Sequence, residues 1–315
     1  MKTAFMSYVI GSKSFIDMAI VTILSYIETN DTEIDWLIFG NTEDELNSAK
    51  ERLQNIKSNL VHIKVLPFTK IEDNDNFINY KNWISDIGST MFYKRIKLID
   101  AYKNNYDILV MVDLDIIFIK DISKYLKRAY DNDDIWISGQ EQVNPEPETT
   151  KLNNNHHYIN FGFGILKCNK LRNNEFSNLL KLISNPEVKL ICQDQSYYNS
   201  TYSADKYFGY HDLQLSEWNF PWFYHNKPDY KIYHYSPMRY MDQTTIVTYD
   251  KSKYRYGWGI ISLLVYDKYA EYVERYKQYL SDDFIEKVGF NNQRFLKERA
   301  ENRIQYSFHK RQCGL

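Results

Sequence analysis

An acid is a poor neighbour for buried aliphatic residues. Yet Ile108-Leu109-Val110-Met111-Val112 runs directly into Asp113-Leu114-Asp115, and Ile116-Ile117-Phe118 follows at once. The short, β-branched apolar run predicts a strand covered on both faces. Desolvating a carboxylate is costly unless it has a partner, so two acids at positions i and i+2 in this setting call for one. If the strand ends in a turn between them, both acids can face a single divalent cation, and oxygen ligands suit Mg2+ or Mn2+. The alternative is a strand that reaches the surface and ends in two solvated acids.

Bulk properties narrow the choice of function. The 315 residues are 43% hydrophobic and 25% charged, enough for a folded core built as one large domain or one domain plus an extension. A net charge of −2 argues against a protein built to bind nucleic acid. Tyrosine is abundant, and its apolar face and polar tip suit sugar-facing surfaces as well as half-buried strands. Cys168, Cys192 and Cys313 are odd in number and lack zinc-type spacing, so free thiols in a reducing compartment are expected. Met1 to Met6 leads straight into a strand-like run without a signal peptide's apolar region. No stretch of about 18 uninterrupted apolar residues is present. A cytoplasmic protein is expected.

Along the chain, strand-like and helix-like segments alternate. Ala4 to Ile10 reads as a strand and Gly11-Ser12-Lys13-Ser14 as a loop. Phe15 to Glu28 reads as a helix with Ile16, Ala19, Ile20, Ile23, Leu24 and Ile27 on one face. Trp36–Phe39 and Val61–Leu66 read as strands on either side of a helix at Glu43–Leu53. This alternation predicts an α/β fold with a mostly parallel, doubly wound sheet, which binds ligands at the carboxyl ends of its strands. The Gly11 loop and the two acids both stand at such ends. Met91 to Tyr102 reads as a helix; Arg95 on it either faces an anionic ligand or belongs to a solvated basic face. Lys151 to His157 reads as a polar loop, either an acceptor-binding lid or plain surface. Gly162 and Gly164 inside a strand signal close approach by a ligand or another backbone. His234, alone between aromatics, is of interest only as a third ligand for a metal already held by two acids.

The order of these pieces resembles the nucleotide-sugar glycosyltransferases of GT-A fold. More narrowly it resembles glycosyltransferase family 8, a retaining family that includes bacterial galactosyl- and glucosyltransferases. Val112-Asp113-Leu114-Asp115 resembles the Asp-x-Asp motif, and Tyr93-Lys94-Arg95 the Tyr-x-Arg helix before it. Tyr158-Ile159-Asn160-Phe161-Gly162 resembles Tyr-Phe-Asn-Ser-Gly, and Asp194-Gln195-Ser196-Tyr197-Tyr198-Asn199 resembles Asp-Gln-Asp-x-Leu-Asn. Leu215 with Trp218-Asn219, and then His234-Tyr235, complete the series. Two places depart from the family. Pro237 and Tyr240 stand where it has Gly and Lys, with Arg239 one residue earlier, and the first loop lacks its acid-rich Asp-Asp-x-Tyr.

The resemblance, which covers about residues 1–240, implies a Rossmann-like doubly wound mixed sheet in a catalytic domain over residues 1–250, and the change in composition from Lys251 predicts a helical C-terminal extension over 251–315. It implies that Asp113, Asp115 and His234 hold Mn2+ or Mg2+ against the diphosphate of a nucleotide-sugar, UDP-glucose or UDP-galactose. Ile10, Gly11, Ser12, Leu114 and Gly162 would line the donor, with Arg95 and Arg239 supplying positive charge. Asp194 and Asn160 would position sugar hydroxyls, and Gln195 would sit near the anomeric carbon. The implied reaction moves a hexose to a glycan, a lipid-linked glycan or a protein. A sugar nucleotidyltransferase and a non-catalytic nucleotide-sugar-binding protein remain the competing readings. Between Gln293 and Arg311, Arg294, Lys297, Arg299, Arg303, Lys310 and Arg311 are set among Phe295, Leu296, Ile304, Tyr306 and Phe308. That pattern is expected either to dock on the inner face of a membrane or to pack on the domain as a solvated helix.

Overall fold

The structure is a computed structural model. It describes residues 1–9, 13–68, 87–132, 136–141, 158–185, 193–202, 207–210, 213–215, 229–234 and 268–289. In chain order the elements are β1 (Thr3–Tyr8), α1 (Ser14–Thr29), β2 (Ile34–Gly40), α2 (Glu43–Leu53), β3 (Val61–Pro67), α3 (Ile87–Tyr102), β4 (Ile108–Val112) and β5 (Ile116–Phe118). There follow α4 (Ser123–Asp131), β6 (Trp136–Glu141), β7 (Tyr158–Lys167), α5 (Glu175–Ile183), α6 (Gln193–Thr201), β8 (Tyr207–Tyr210), β9 (Gln214–Leu215) and β10 (Ile232–His234). Helices over 268–276 and 282–289 close the described chain.

Seven strands form one sheet in the order β3-β2-β1-β4-β7-β6-β8, and three form a second in the order β5-β10-β9. The strand order reverses between β1 and β4, the topological switch point at which doubly wound sheets bind ligands. The sheet is mixed: β2 and β3 run parallel, while β6 and β7 run antiparallel. Apolar patterning alone predicts where a strand lies but not which way its neighbour runs, and the antiparallel pair matches the mixed sheet that the family resemblance implies. The chain divides into two compact units. One comprises Met1–Phe5, Phe68–Met111 and Lys124–Gly209; the other comprises Met6–Pro67, Val112–Ser123 and Tyr210–Leu315.

The second unit contains α1, α2, β2, β3, β5, β9, β10 and the C-terminal helices. Its centre is a ring cluster, with Tyr26 edge-on to both Trp36 and Phe118 at centroid distances of 6.0 and 5.2 Å. Such pairs add about 0.5–1.5 kcal/mol each beyond the area they bury. Helix α2 starts where its sequence says it should. Thr42 Oγ1 accepts from Glu45 N–H at 3.2 Å, and Glu45 returns a carboxylate to Thr42 N–H at 3.0 Å, a complete capping box. Three acids fill the first turn of α2, and Lys50 and Arg52 the last, matching the helix dipole at both ends. The C-terminal helices dock through a buried carboxylate on α1. Asp17, 1% exposed, receives Arg52 Nη1 at 3.0 Å together with Ser281 N–H and Oγ–H, each at 2.8 Å. Tyr269, Tyr272, Tyr276 and Phe284 face inward there. The segment from 293 to 311 lies outside the described residues.

In the first unit, α3 packs on α5 and α6, and α6 packs on β7. Asp100 near the end of α3 caps α5, accepting Glu175 N–H at 3.0 Å and Phe176 N–H at 2.8 Å. An acid at a helix N-terminus satisfies donors that have no partner within the helix.

Candidate active site

The opening stretch folds as its chemistry demands. All five residues of β4 are buried, the backbone leaves strand geometry at Asp113, turns through Leu114 and Asp115, and resumes as β5. β10 then pairs antiparallel with β5 in a register that sets His234 opposite Ile116, one residue past Asp115. The imidazole Nε2 therefore lies 3.1 Å from Asp115 Oδ1 and 3.7 Å from Asp113 Oδ2. His234 is buried, while the two carboxylates are only partly covered. One donor atom from each residue lies within 4.8 Å of the others. Neighbouring donors around an ion held at about 2.0–2.1 Å stand about 3 Å apart, so the spacing fits a small divalent cation. Two carboxylates with one imidazole form a donor set for a divalent cation. Leu114, between the acids, is buried and turns its side chain into the core.

A second group forms within the other unit. Arg95 on α3 and Asp194 on α6 make an ion pair at 3.2 Å, with side chains only 5% and 4% exposed. The solvated basic face considered for Arg95 is thus replaced by a buried pair, because α6 packs against α3 and brings its acid along. The guanidinium also lies over the Phe161 ring, 5.7 Å from its centroid. Gln195 Oε1 accepts the Phe161 backbone N–H at 2.9 Å, tying α6 to β7. Asn160 Oδ1 accepts the Gly162 N–H at 2.8 Å, and Asn160 is 5% exposed. Arg95, Asn160, Gly162, Asp194 and Gln195, distant in sequence, are thus linked through α3, α6 and β7.

Sequence reasoning passed over the residue that anchors this group. Glu175 is fully buried and accepts the Tyr197 hydroxyl at 2.6 Å, the Tyr202 hydroxyl and the Arg172 N–H. Tyr197 lies two residues after Gln195, so Glu175 fixes the helix that carries Asp194 and Gln195. Burial and the Glu175 carboxylate push the Tyr197 and Tyr202 hydroxyls far above the usual tyrosine range, so both remain donors. The one available signal was a Tyr-rich polar helix, which also suits an ordinary surface. Ile10, Gly11, Ser12 and Arg239 lie outside the described residues.

Comparison with known proteins identifies the family and the fold. The family model for glycosyl transferase family 8 matches residues 8–251. The chain belongs to glycosyl transferase family 8, and it is a glycosyltransferase with an α/β fold of GT-A type. Solved structures with the same fold include mouse xyloside xylosyltransferase 1, at 12% identity over 74% of this chain and 97% of that one, with a TM-score of 0.53. The galactosyltransferase LgtC, solved with donor and acceptor sugar analogs, is 14% identical over 83% of this chain and 95% of its own, with a TM-score of 0.53. An active-site mutant of LgtC gives a TM-score of 0.56 at 13% identity over 80% of this chain and 94% of its own. No curated protein matches significantly in sequence. Among the described residues, no helix is long and apolar enough to cross a membrane.

Proposed function

We propose that this glycosyltransferase moves a hexose from UDP-glucose or UDP-galactose to a glycan, a lipid-linked glycan or a protein, with retention at the anomeric carbon. The observation that carries the reading is the convergence of Asp113 and Asp115, from the turn after β4, and His234, from β10, with one ligand atom of each within 4.8 Å of the others. Asp113 and Asp115 would hold the cation through carboxylate oxygen, and His234 would complete the set through its imidazole. A divalent cation bound there supplies Lewis-acid neutralisation of the charge that builds on the departing nucleoside diphosphate. Family membership and the LgtC complex with donor and acceptor analogs support a nucleotide-sugar donor and a sugar acceptor.

The other residues act on the donor without forming it. Arg95 contributes positive charge toward the sugar-phosphate, where preorganised charge stabilises a developing anion better than water does. Asp194 and Asn160 orient sugar hydroxyls, and Gln195 stands near the anomeric carbon. The Phe161 N–H fixes where the Gln195 oxygen points. Ile10, Gly11, Ser12, the backbone of Leu114 and Gly162 line the donor, and Arg239 takes over diphosphate contacts that a Lys makes elsewhere in the family. The basic-aromatic segment ending at Arg311 contacts the inner face of a membrane.

A thermal-shift screen of nucleotide-sugars with and without Mn2+ tests the donor. A ligand that binds only the folded state raises the melting temperature with concentration. UDP-glucose or UDP-galactose is expected to do so in a Mn2+-dependent way, with UDP released on turnover. Release of pyrophosphate from UTP would mark a nucleotidyltransferase instead, and binding with neither transfer nor hydrolysis a non-catalytic binder.

A further inference from the structure

Three buried hydroxyls hold the backbone on either side of the metal acids, and all three are 0% exposed. Ser7 on β1 donates its Oγ–H to Val112 O at 2.8 Å, while its oxygen accepts the Trp36 indole N–H at 3.1 Å. Thr22 on α1 places Oγ1 2.9 Å from Leu114 O and 2.8 Å from Ile116 O. Ser25, three residues along the same helix, accepts Phe118 N–H at 3.0 Å and donates to Thr22 O at 2.7 Å. Val112, Leu114, Ile116 and Phe118 alternate with the chain positions of Asp113 and Asp115. The hydroxyls therefore grip every second residue through the turn that bears both acids.

The arrangement exceeds what helix α1 needs for itself. A threonine inside a helix commonly bonds the carbonyl four residues back, and Thr22 does reach Met18 O at 2.9 Å. Its contacts with Leu114 O and Ile116 O, 92 and 94 residues away, have no such local cause. The Met18, Leu114 and Ile116 carbonyls share one hydroxyl proton, so Thr22 Oγ1 is the common point to which the Leu114 and Ile116 carbonyls, on either side of Asp115, both turn. Buried carbonyls lose free energy without a donor, and a turn between two short strands has little sheet ladder of its own to supply one. We infer that Thr22, flanked by Ser7 and Ser25, is a positioning residue that sets how tightly Asp113, Asp115 and His234 hold a divalent cation. The inference rests on the metal reading above and extends it to residues that never touch the ion. Groups that orient metal ligands from outside the first shell are typically worth about 10–100-fold in metal affinity.

The test is Mn2+ binding by the full chain without nucleotide, read from loss of the free-Mn2+ paramagnetic resonance signal, alongside thermal melts without metal. Thr22→Val keeps the branched shape and removes the hydroxyl; its Kd for Mn2+ is expected to rise at least about tenfold. Thr22→Ser keeps the hydroxyl and is expected to bind like the unaltered protein. Should Thr22→Val not fold, Ser7→Ala and Ser25→Ala carry the test and are expected to weaken Mn2+ in the same direction. An unchanged Kd in the folded hydroxyl variants, even with a lower melting temperature, overturns the inference and leaves the metal centre standing. Failure of the unaltered protein to bind Mn2+, or undiminished binding by Asp115→Asn, overturns the metal reading itself.

Discussion

His234 Nε2 lies 3.1 Å from Asp115 Oδ1 although the residues are far apart in sequence, because β10 pairs with β5 in one register. Slipping that register by one residue would turn the imidazole to the opposite face of the strand. If the contact marks a metal centre, Asp115→Asn keeps the shape and loses the charge. Its turnover is expected to fall by more than about 100-fold, beyond the usual cost of altering a mere supporting partner. Initial rates of UDP release at saturating Mn2+ check this.

Arg95 and Asp194 form a pair almost wholly removed from water. Removing one member leaves an uncompensated buried charge, which costs about 3–5 kcal/mol. Arg95→Met is expected to lower stability by that amount in urea unfolding. The double variant Arg95→Met with Asp194→Asn is expected to regain much of the loss while remaining inactive. Recovery of activity along with stability would show that the pair is structural only.

Acid should loosen the strand that carries His234. The Lys120 and Lys231 ammonium groups hydrogen-bond Asp229, just before β10, and hold its carboxyl down at about 2. A depressed folded-state value means that the stabilisation is present above the ordinary carboxylate value near 4 and is lost as pH falls through about 2. Asp229 is largely exposed, so the effect is modest and screened by salt. Between pH 4 and 2, Asp229→Asn is expected to lose stability less steeply than the unaltered chain, as followed by far-UV circular dichroism.

Cys168 sits behind the amino end of β4, with its thiol pushed up to about 12, mainly by burial. It is expected to resist iodoacetamide at pH 8 in the folded protein and to react once unfolded, as peptide mass spectrometry would show. Its raised value makes the associated stability fully present below about 9 and lost as pH climbs toward 12.

Much of this was legible in the residues. Glu43–Leu53 carries its own start signal and dipole-matched ends, so its limits match the structure residue for residue. The short, β-branched β4 run reads as a covered strand, and all five of its residues are buried. His234 was readable only in company, since a lone His between aromatics is usually structural. Arg95 was ambiguous because Lys94 and Lys97 share its helix; only the packing of α6 against α3 decides which cation is buried. Thr22 and Ser25 were invisible, because two small polar residues on a largely apolar helix look like interruptions until the carbonyls they serve are known. The direction of β6 against β7 depends on the chain between them, and no apolar pattern encodes it.

Asp113, Asp115 and His234 are proposed to act together through a divalent cation in transferring a sugar. The most direct measurement is UDP release from UDP-glucose and UDP-galactose during a Mn2+ titration, with the chain stripped by chelator at the start, for the unaltered protein and for His234→Ala. Release should be absent after stripping, return with Mn2+, and require far more Mn2+ or fail to return in His234→Ala. Undiminished release from the stripped protein, or identical Mn2+ curves for the two chains, would show that transfer does not run through a cation held by these three residues.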